Sequence, residues 1–312
     1  MVFNPREFIS EKVSWLRAEI KSMKAAAAAS GGVDSTVTAM LGHKAVGEKL
    51  TVLFLDDGLM RDGEPDSVVT RYKQLGLNAK LCDVKHDFFE ALKGVVDPEA
   101  KRKAFRSTFY TVLGRLAAEL GATYLLQGTI AADVVETQGG VKTQHNVLEQ
   151  IGINPLQKYG FKVLEPIKEL YKPDVRRVAA ELGLPEDMHQ RRPFPGPGLA
   201  LRVLGEVTPE RVETVRKATK VVEEETASMS CFQSFAVLLN DKATGVREGK
   251  RVFGEILTIR IVDSQDAMTA TVPRVPWEKL ERMRVRLTDE LPQVVKVLFD
   301  LSPKPPSTIE YI

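Results

Sequence analysis

The stretch KAAAAASGGVDST, residues 24–36, decides the fold. Propensity alone favours a helix for five consecutive alanines, so a continuation of the preceding helix is one interpretation. The following SGGVDS is typical of a turn, and the spacing of Val37, Met40 and Leu41 indicates a new helix after it. A strand of small side chains can lie between closely packed helices. We therefore predict a strand over 25–29 that leads through a glycine loop into a helix.

Strands and helices alternate along the residues on either side of this stretch. The predicted strands are 50–55, 79–84 and 122–126, and the predicted helices are 7–22, 66–75, 98–120 and 172–182. This alternation predicts an α/β fold, a parallel sheet with helices on both faces. Residues 127–160 are rich in Gly, Gln and Asn with weak periodicity, which predicts a long functional loop.

A proline-rich segment, RRPFPGPGL at 191–199, predicts the joint between two domains, because proline fixes φ and removes a hydrogen-bond donor. Beyond it, the patterns predict a smaller α+β domain. Its predicted helices are 209–229 and 277–287, and its predicted strands are 232–239, 252–262 and 294–299. A chain of 312 residues commonly forms two domains. We place them at 1–200 and 201–312.

Composition excludes several classes of protein. With 44 basic and 42 acidic residues, the chain lacks the electrostatic footprint of a general nucleic-acid binder. A hydrophobic content of 43% excludes a mostly disordered chain. Cys82 and Cys231 lie far apart, which argues against a disulfide framework and a cysteine-built zinc site. Because no apolar run of about 18 residues occurs, we expect a cytoplasmic protein without a membrane span.

The glycine loop, Ser30–Thr36, is suited to phosphate. Gly31 and Gly32 let the backbone approach a ligand and direct N–H groups toward it, and the N-terminus of the following helix adds its positive dipole end. Ser30, Ser35 and Thr36 supply hydroxyl groups. Asp34 is unfavourable beside bare phosphate but suitable if Mg²⁺ bridges it to the phosphate oxygens. No Gly-Lys-Ser/Thr follows, so the common P-loop is excluded. A simple capped turn is the other interpretation.

This loop resembles the PP-loop of the N-type ATP pyrophosphatases, which cut ATP between its α and β phosphates. Two further strings, RRPFPGPGLALRVLGEVT (191–208) and KPPSTIEY (304–311), resemble motifs of the GMP synthetase family. Four shorter strings follow the family's order: GTIAADVVET (128–137), HNV (145–147), FQSFAV (232–237) and DAMTA (266–270). The resemblance covers nearly the whole chain. It is to the stand-alone ATP-pyrophosphatase subunit, because we find no N-terminal glutaminase domain.

The resemblance implies a fold, a reaction and partners. The fold would be a PP-loop domain like that of the adenine nucleotide hydrolases, followed by a dimerisation domain whose tail completes the substrate site. The reaction would be the ATP- and Mg²⁺-dependent adenylation of xanthosine monophosphate, followed by amidation to GMP. Ammonia would come from a separate glutamine amidotransferase subunit or from free ammonium. The expected assembly is a homodimer through the C-terminal domain.

The resemblance also implies roles for individual residues. Asp34, Asp133 and His145 would be catalytic, and Asp34 would hold the metal. ATP would be bound by Ser30, Gly31, Gly32, Val33, Asp34, Ser35, Thr36, Leu55, Gly128 and Thr129. The acceptor nucleotide would be bound by Arg102, Gln233, Lys304, Thr308, Ile309 and Glu310. Residues 193–199 would form a lid that excludes water from the adenylate.

The chain departs from the family's pattern in the segment VLEQIGINPLQKYGF (147–161), in the run LDDG (55–58) with its extra carboxylate, and at three single positions. Gln144 stands where the family has the first of two histidines, Arg192 replaces a histidine, and Ile312 stands where the family commonly has Glu. These departures leave two alternatives open. One is a PP-loop enzyme that adenylates another purine-like or tRNA acceptor. The other is a non-catalytic nucleotide-binding partner of a glutaminase.

Overall fold

The computed structural model describes residues 3–138, 154–185, 192–265 and 267–312, which fall into two compact units. The first unit comprises the described residues of Met1–Asp56, Gly63–Val84 and Arg106–Arg191. The second comprises Asp57–Asp62, Lys85–Phe105 and the described residues of Arg192–Ile312. Neither unit is continuous in sequence, and the predicted boundary near residue 200 stays a prediction.

Helices and strands alternate through the first two thirds of the chain, as the sequence predicts. The helices are α1 (Pro5–Ile20), α2 (Val33–Val46), α3 (Glu64–Gln74), α4 (Lys85–Leu92), α5 (Pro98–Leu120), α6 (Ala131–Gln138), α7 (Pro155–Tyr159), α8 (Lys172–Glu181), α9 (Pro209–Glu225) and α10 (Trp277–Glu290). The strands are β1 (Lys24–Ala29), β2 (Leu50–Asp56), β3 (Ala79–Asp83), β4 (Ala122–Leu126), β5 (Lys162–Leu164), β6 (Gln233–Arg247), β7 (Lys250–Val262) and β8 (Val294–Phe299).

The alanine run forms the central strand of the first unit. The sheet is parallel throughout and has the order β3-β2-β1-β4-β5. Ala27 pairs with Val52 of β2 on one side and with Leu126 of β4 on the other. Ala25, Ala26 and Ala27 are buried. The predicted α/β fold is confirmed, and the interpretation of the alanines as helix is wrong, because tertiary pairing on both sides overrides their propensity.

Helix α2 lies close to this sheet because Gly42 carries no side chain. A Cβ atom at Gly42 would lie 2.5 Å from Leu126 Cδ2 and 3.0 Å from Leu50 Cδ2. The helix therefore packs directly on side chains of the neighbouring strands β2 and β4. The glycine loop at the other end of α2 directly follows β1, and so lies at the carboxyl end of the central strand, where ligands collect in open parallel sheets.

The second unit contains a mixed sheet of order β6-β7-β8. Strands β6 and β7 are antiparallel, and β7 and β8 are parallel. The prediction of a smaller α+β domain after the joint is confirmed. Two details of the sequence-based prediction are wrong. Helix α9 ends at Glu225 and not at residue 229, and residues 127–160 include α6 and α7 in their described part.

Two features are absent from the described residues. None of their helices combines the length and the apolar character that a bilayer crossing requires. No group of three or more His, Cys, Asp or Glu among them is arranged to hold a metal ion.

Candidate functional site

The two glycines of the loop differ in conformation. Gly31 has φ of +75°, in the left-handed region, where a Cβ atom is unfavourable. Gly32 is the N-cap of α2 with φ of −82° and forms no side-chain capping bond. Gly31 therefore sets the sharp turn after β1, whereas Gly32 leaves the first N–H groups of α2 without a side-chain cap. The arrangement suits an anion at this helix terminus.

Hydroxyl groups hold the loop together from inside. Ser35 Oγ donates to Gly32 O at 3.0 Å and lies 3.0 Å from Ser30 Oγ. Thr36 Oγ1 donates to Gly32 O at 2.8 Å. Tyr72, buried on α3, places its hydroxyl 3.3 Å from Ser35 Oγ and 3.0 Å from Thr36 Oγ1. Ser35 and Thr36 thus shape the loop, and Tyr72 braces them, a role that sequence reasoning missed.

Asp34 has one engaged and one unengaged carboxylate oxygen. Its Oδ2 accepts a hydrogen bond from Lys172 Nζ at 2.6 Å, at the start of α8. Its Oδ1 is buried and has no hydrogen-bond partner among the described residues. An oxygen of this kind fits Mg²⁺, which takes one or two carboxylates and completes its shell with phosphate and water. Lys172 was not anticipated from the sequence.

Gly128 packs directly on the main chain of the loop. A Cβ atom at this position would lie 2.9 Å from Asp34 C and 2.9 Å from Ser35 N. The close approach joins the end of β4 to the start of α2. Gly128 is thus a packing residue for the loop, whatever it contributes to a ligand.

A chain of polar side chains follows β4 and β5. Tyr110 Oη donates to Gln127 Oε1 at 3.0 Å, Gln127 Nε2 donates to Thr129 Oγ1 at 3.0 Å, and Thr129 Oγ1 donates to Glu165 Oε1 at 2.6 Å. Burial strongly raises the pKa of Tyr110, although its bond to Gln127 opposes that change. Tyr110 therefore stays protonated and donates. The hydrogen bonds with Gln127 and Glu165 hold the hydroxyl group of Thr129 in a fixed position after β4.

Three more predicted residues have different surroundings. Asp133 Oδ2 accepts from the N–H of Ile130 at 2.9 Å, a bond from the third helical position back to the N-cap of α6. Leu55 is buried in β2. His145 lies outside the described residues. The geometry gives Asp133 a capping role, and the catalytic roles of Asp133 and His145 stay predictions.

In the second unit, Glu310 is held by an arginine that the sequence did not single out. Arg202 Nε and Nη2 donate to the two carboxylate oxygens of Glu310, both at 3.2 Å. The Arg202 side chain is 1% exposed and that of Glu310 is 16% exposed. The rings of Phe235 and Phe194 lie 4.0 and 4.8 Å from the guanidinium carbon. Glu310 is thereby fixed in one orientation.

A second buried arginine fixes the remainder of the tail. Arg260 donates to Ser302 O at 2.6 Å and to Thr308 O at 2.8 Å, and its Nη1 lies 3.0 Å from a carboxylate oxygen of Asp300. It also approaches the carbonyl of Ile309 at 3.5 Å. These bonds fold residues 300–309 back on β7. Thr308 and Ile309 are thus positioned by their main chain.

The other predicted acceptor residues lie in the same unit with partners of their own. Lys304 Nζ donates to Ala267 O at 2.8 Å, and Arg102 Nη2 donates to the main-chain oxygen of Ile312 at 2.7 Å. Gln233 Nε2 donates to Pro193 O at 2.9 Å, while its buried Oε1 has no hydrogen-bond partner among the described residues. Arg102 Nε is buried and likewise unpartnered within that part of the chain.

Arg192, which replaces a histidine of the expected pattern, anchors the proline-rich segment. Its guanidinium donates to Thr226 Oγ1 at 3.0 Å, Ser234 Oγ at 2.6 Å, Thr226 O at 2.8 Å and Met229 O at 3.3 Å. A histidine has two ring nitrogens and could not donate to all of them. The replacement therefore has a structural explanation.

Lys101 is a fully buried lysine whose hydrogen-bond partners among the described residues are main-chain carbonyls and no carboxylate. Its Nζ donates to Val203 O at 2.6 Å and to Ala200 O at 3.4 Å. Burial, reinforced by the positive charge of Arg211, lowers the pKa of Lys101 to about 8. Lys101 thus binds the end of the 3₁₀ turn Gly198–Arg202, which carries Arg202.

Comparisons of this sequence with known proteins give one consistent family. The sequence model of the GMP synthase C terminal domain matches residues 201–311, and that of NAD synthase matches residues 8–196. A glutamine-hydrolyzing GMP synthase subunit of Methanopyrus kandleri is 49% identical, over 99% of this chain and 100% of its own. The chain belongs to this family of GMP synthase subunits. The subunit of the same name from Archaeoglobus fulgidus is 49% identical, and the match covers 98% of both chains. That from Pyrococcus furiosus is 47% identical, and the match covers 98% of this chain and 97% of the relative.

Membership of this family confirms the resemblance found in the sequence and makes the chain an ATP-using ligase by relationship. The NAD synthase match covers the unit with the glycine loop, and the C-terminal match covers the tail with Glu310. The individual site residues stay predictions. The structure adds Tyr72, Lys172, Arg202 and Arg260 to them as neighbours.

Proposed function

We propose that this chain converts xanthosine monophosphate to GMP with ATP and ammonia, as the synthetase subunit of a two-subunit GMP synthase. The observation that supports this most is the near-full-length identity of 49% to the GMP synthase subunit of Methanopyrus kandleri. Two geometric features agree with it. The glycine loop has uncapped amide donors at the start of α2, and the tail holds a fixed carboxylate, Glu310.

The loop would bind the β and γ phosphates of ATP. The N–H groups of Gly31 and of the first turn of α2 would stabilise these phosphates, because the N-terminus of a helix favours an anion. Ser35 and Thr36 keep the loop in shape, and Leu55, Gly128 and Thr129 would line the remainder of the nucleotide site. Asp34 Oδ1 would bind Mg²⁺, which when present neutralises phosphate charge and makes pyrophosphate a better leaving group.

The chemistry proceeds in two displacements. The oxygen on C2 of xanthosine monophosphate attacks the α phosphorus of ATP, and the bond to pyrophosphate breaks. Ammonia then attacks C2, loses a proton, and AMP leaves with the former carbonyl oxygen. The protein contributes positioning and charge stabilisation. Lys304 and Arg102 would bind the phosphate of the acceptor, Gln233 and Thr308–Glu310 its base, and residues 193–199 would exclude water.

The partners follow from the same proposal. A separate glutamine amidotransferase subunit would supply ammonia, and a homodimer would form through the C-terminal domain. The division into residues 1–200 for ATP and 201–312 for the acceptor, and the cytoplasmic location, belong to the proposal as well.

The direct test is incubation with ATP, Mg²⁺, xanthosine monophosphate and a high ammonium concentration. GMP, AMP and pyrophosphate should appear in equal amounts, and omission of the acceptor should abolish pyrophosphate release. Asp34→Asn should reduce pyrophosphate release by at least about a hundredfold, the scale of losing one electrostatic stabiliser of the transition state. Lys103→Met, an exposed position on α5, should have no effect.

The same experiment decides between the alternatives. Pyrophosphate release with another nucleotide or with tRNA, and none with xanthosine monophosphate, would favour a different acceptor. Tight ATP binding without release on any acceptor would favour a non-catalytic partner. Either result would overturn the proposed function.

A further inference from the structure

Arg202 is a buried arginine that lies close to two aromatic rings and is paired with one carboxylate. It is buried to 1% exposure, its guanidinium carbon lies within 5 Å of the centroids of two aromatic rings (4.0 and 4.8 Å), and it directs two donors at the two oxygens of Glu310. The third guanidinium nitrogen, Nη1, is buried with no hydrogen-bond partner among the described residues. This side chain is therefore committed to Glu310.

A buried ion pair is weak support for stability. Removing two charges from water carries a cost that their attraction often fails to offset, and apolar replacements are frequently neutral or stabilising. A planar guanidinium with two parallel donors, however, fixes both the position and the plane of a carboxylate. The rings of Phe194 and Phe235 fix the plane of the guanidinium in turn. The geometry thus favours orientation over stability.

The backbone beneath Arg202 is fixed as well. Lys101 binds the carbonyls of Ala200 and Val203, on either side of Arg202. Gly198, with φ of +58°, places its backbone so close to Leu59 that a Cβ atom would lie 2.3 Å from Leu59 O. The turn that carries Arg202 therefore cannot shift without breaking these contacts.

With both oxygens oriented, Glu310 retains lone pairs that can accept further hydrogen bonds, since an ionised carboxylate offers about four acceptor sites. A free lone pair held in one direction can accept a hydrogen bond from a ring N–H next to C2, at N1 or at N3 of a xanthine base. A hypoxanthine base presents one of these donors and an adenine base neither.

We infer that Arg202 is a positioning residue that presents the Glu310 carboxylate to a ring N–H of the acceptor base, and thereby contributes to the binding of a purine that carries an N–H next to C2. This inference rests on the proposed function, because it assigns a base-recognition role to Glu310. Arg202 itself does not touch the reacting atoms.

The test compares Arg202→Met, Arg202→Lys and Glu310→Gln in the full-length protein. KM for xanthosine monophosphate, KM for ATP and kcat are measured by pyrophosphate release. Arg202→Met should raise KM for xanthosine monophosphate at least about tenfold and leave KM for ATP within about twofold. Arg202→Lys should restore part of the loss, because it keeps the charge without the two-donor fork.

A double-mutant cycle separates orientation from general damage. In a Glu310→Gln background, Arg202→Met should cost much less than in the wild-type protein, because no charged carboxylate remains to be oriented. Arg247→Met is the control, since Arg247 lies in the same unit and donates to the main-chain oxygens of Thr288 and Val294, not to Glu310. It should leave every kinetic constant unchanged. Unfolding curves of all variants report whether each one folds.

Two results would overturn the inference: an unchanged KM for xanthosine monophosphate in a folded Arg202→Met protein, or equal increases in the two KM values. If Arg202→Met does not fold, Arg202→Lys is compared by the same criteria. Titration calorimetry with xanthosine monophosphate distinguishes the two failures. A wild-type protein that binds it without turnover overturns the proposed function alone, and Kd then replaces KM in the comparison.

Discussion

Replacing the buried Lys101 with methionine should change how stability depends on pH. Burial lowers the pKa of Lys101 to about 8 from its usual 10.5. The unfolded chain therefore holds one more proton than the folded protein between about pH 8 and 10.5, so stability rises with pH across this window. The cost of burying the charged ammonium is fully present below pH 8 and is lost as the pH approaches 10.5. Methionine removes the titrating group and this dependence with it.

The magnitude follows from the two pKa values. Their difference corresponds to about 3.4 kcal/mol over the whole window, at about 1.4 kcal/mol per pH unit. Between pH 7 and pH 9, the folded protein has lost the Lys101 proton mainly in the upper half, above pH 8, so stability changes over about one pH unit. The wild-type protein should therefore gain about 1.4 kcal/mol relative to Lys101→Met. For a unit of this size, that gain is a relative rise in Tm of about 3–6 °C.

Calorimetric unfolding at pH 7, 8 and 9 measures this difference. Other ionisable groups contribute equally to both proteins, so they cancel in the comparison. Lys103→Met is the matched control, because Lys103 is exposed on the same helix, and its curve should run parallel to that of the wild-type protein. Parallel curves for Lys101→Met, or a wild-type protein that loses stability relative to it as pH rises, would refute the reasoning.

Three further predictions concern the glycine loop. Gly31→Ala should lower the free energy of unfolding by about 1–2 kcal/mol, because Gly31 has φ of +75°. Gly32→Ala should lower it by less, because Gly32 has φ of −82°. Equal losses for the two variants in denaturant unfolding would contradict this prediction. Gly128→Ala should displace the loop backbone, cost about 1–3 kcal/mol and raise KM for ATP, and an unchanged KM would refute the packing role. Lys172→Met should change the free energy of unfolding by less than about 1 kcal/mol, because its ion pair is partly exposed, and a loss above about 2 kcal/mol would contradict that account.

The predictions that the structure confirms were made from sequence patterns of neighbouring residues. The turn residues after the alanines and the new apolar period at Val37 lie within a few positions of each other, so the strand, loop and helix could be predicted together. The tail string that contains Glu310 is equally local. The alanine strand succeeded only because flanking signals outweighed propensity, which by itself pointed to a helix.

Contacts between distant positions could not be predicted in the same way. Lys172 meets Asp34 across 138 positions, and Arg202 meets Glu310 across 108. The residues next to Lys172 and Arg202 in the sequence do not indicate which distant carboxylate each side chain binds. Asp133 illustrates a different failure. The interpretation of 127–160 as a loop concealed the start of α6, so its capping position was missed.

The central strand β1 has a thermal consequence. Ala25 to Ala29 have no side-chain torsion angles, so this strand loses no rotamer entropy on folding and has no alternative rotamers to populate as temperature rises. The place where the chain leaves the sheet at Ser30 is set by the main-chain pairing of β1 with β2 and β4 and by the Ser30 N–H, which donates to Ser35 Oγ at 3.2 Å. Changes of side-chain rotamer elsewhere in the core therefore cannot be passed on by rotamer changes within Ala25–Ala29 to Ser30, the first residue of the glycine loop.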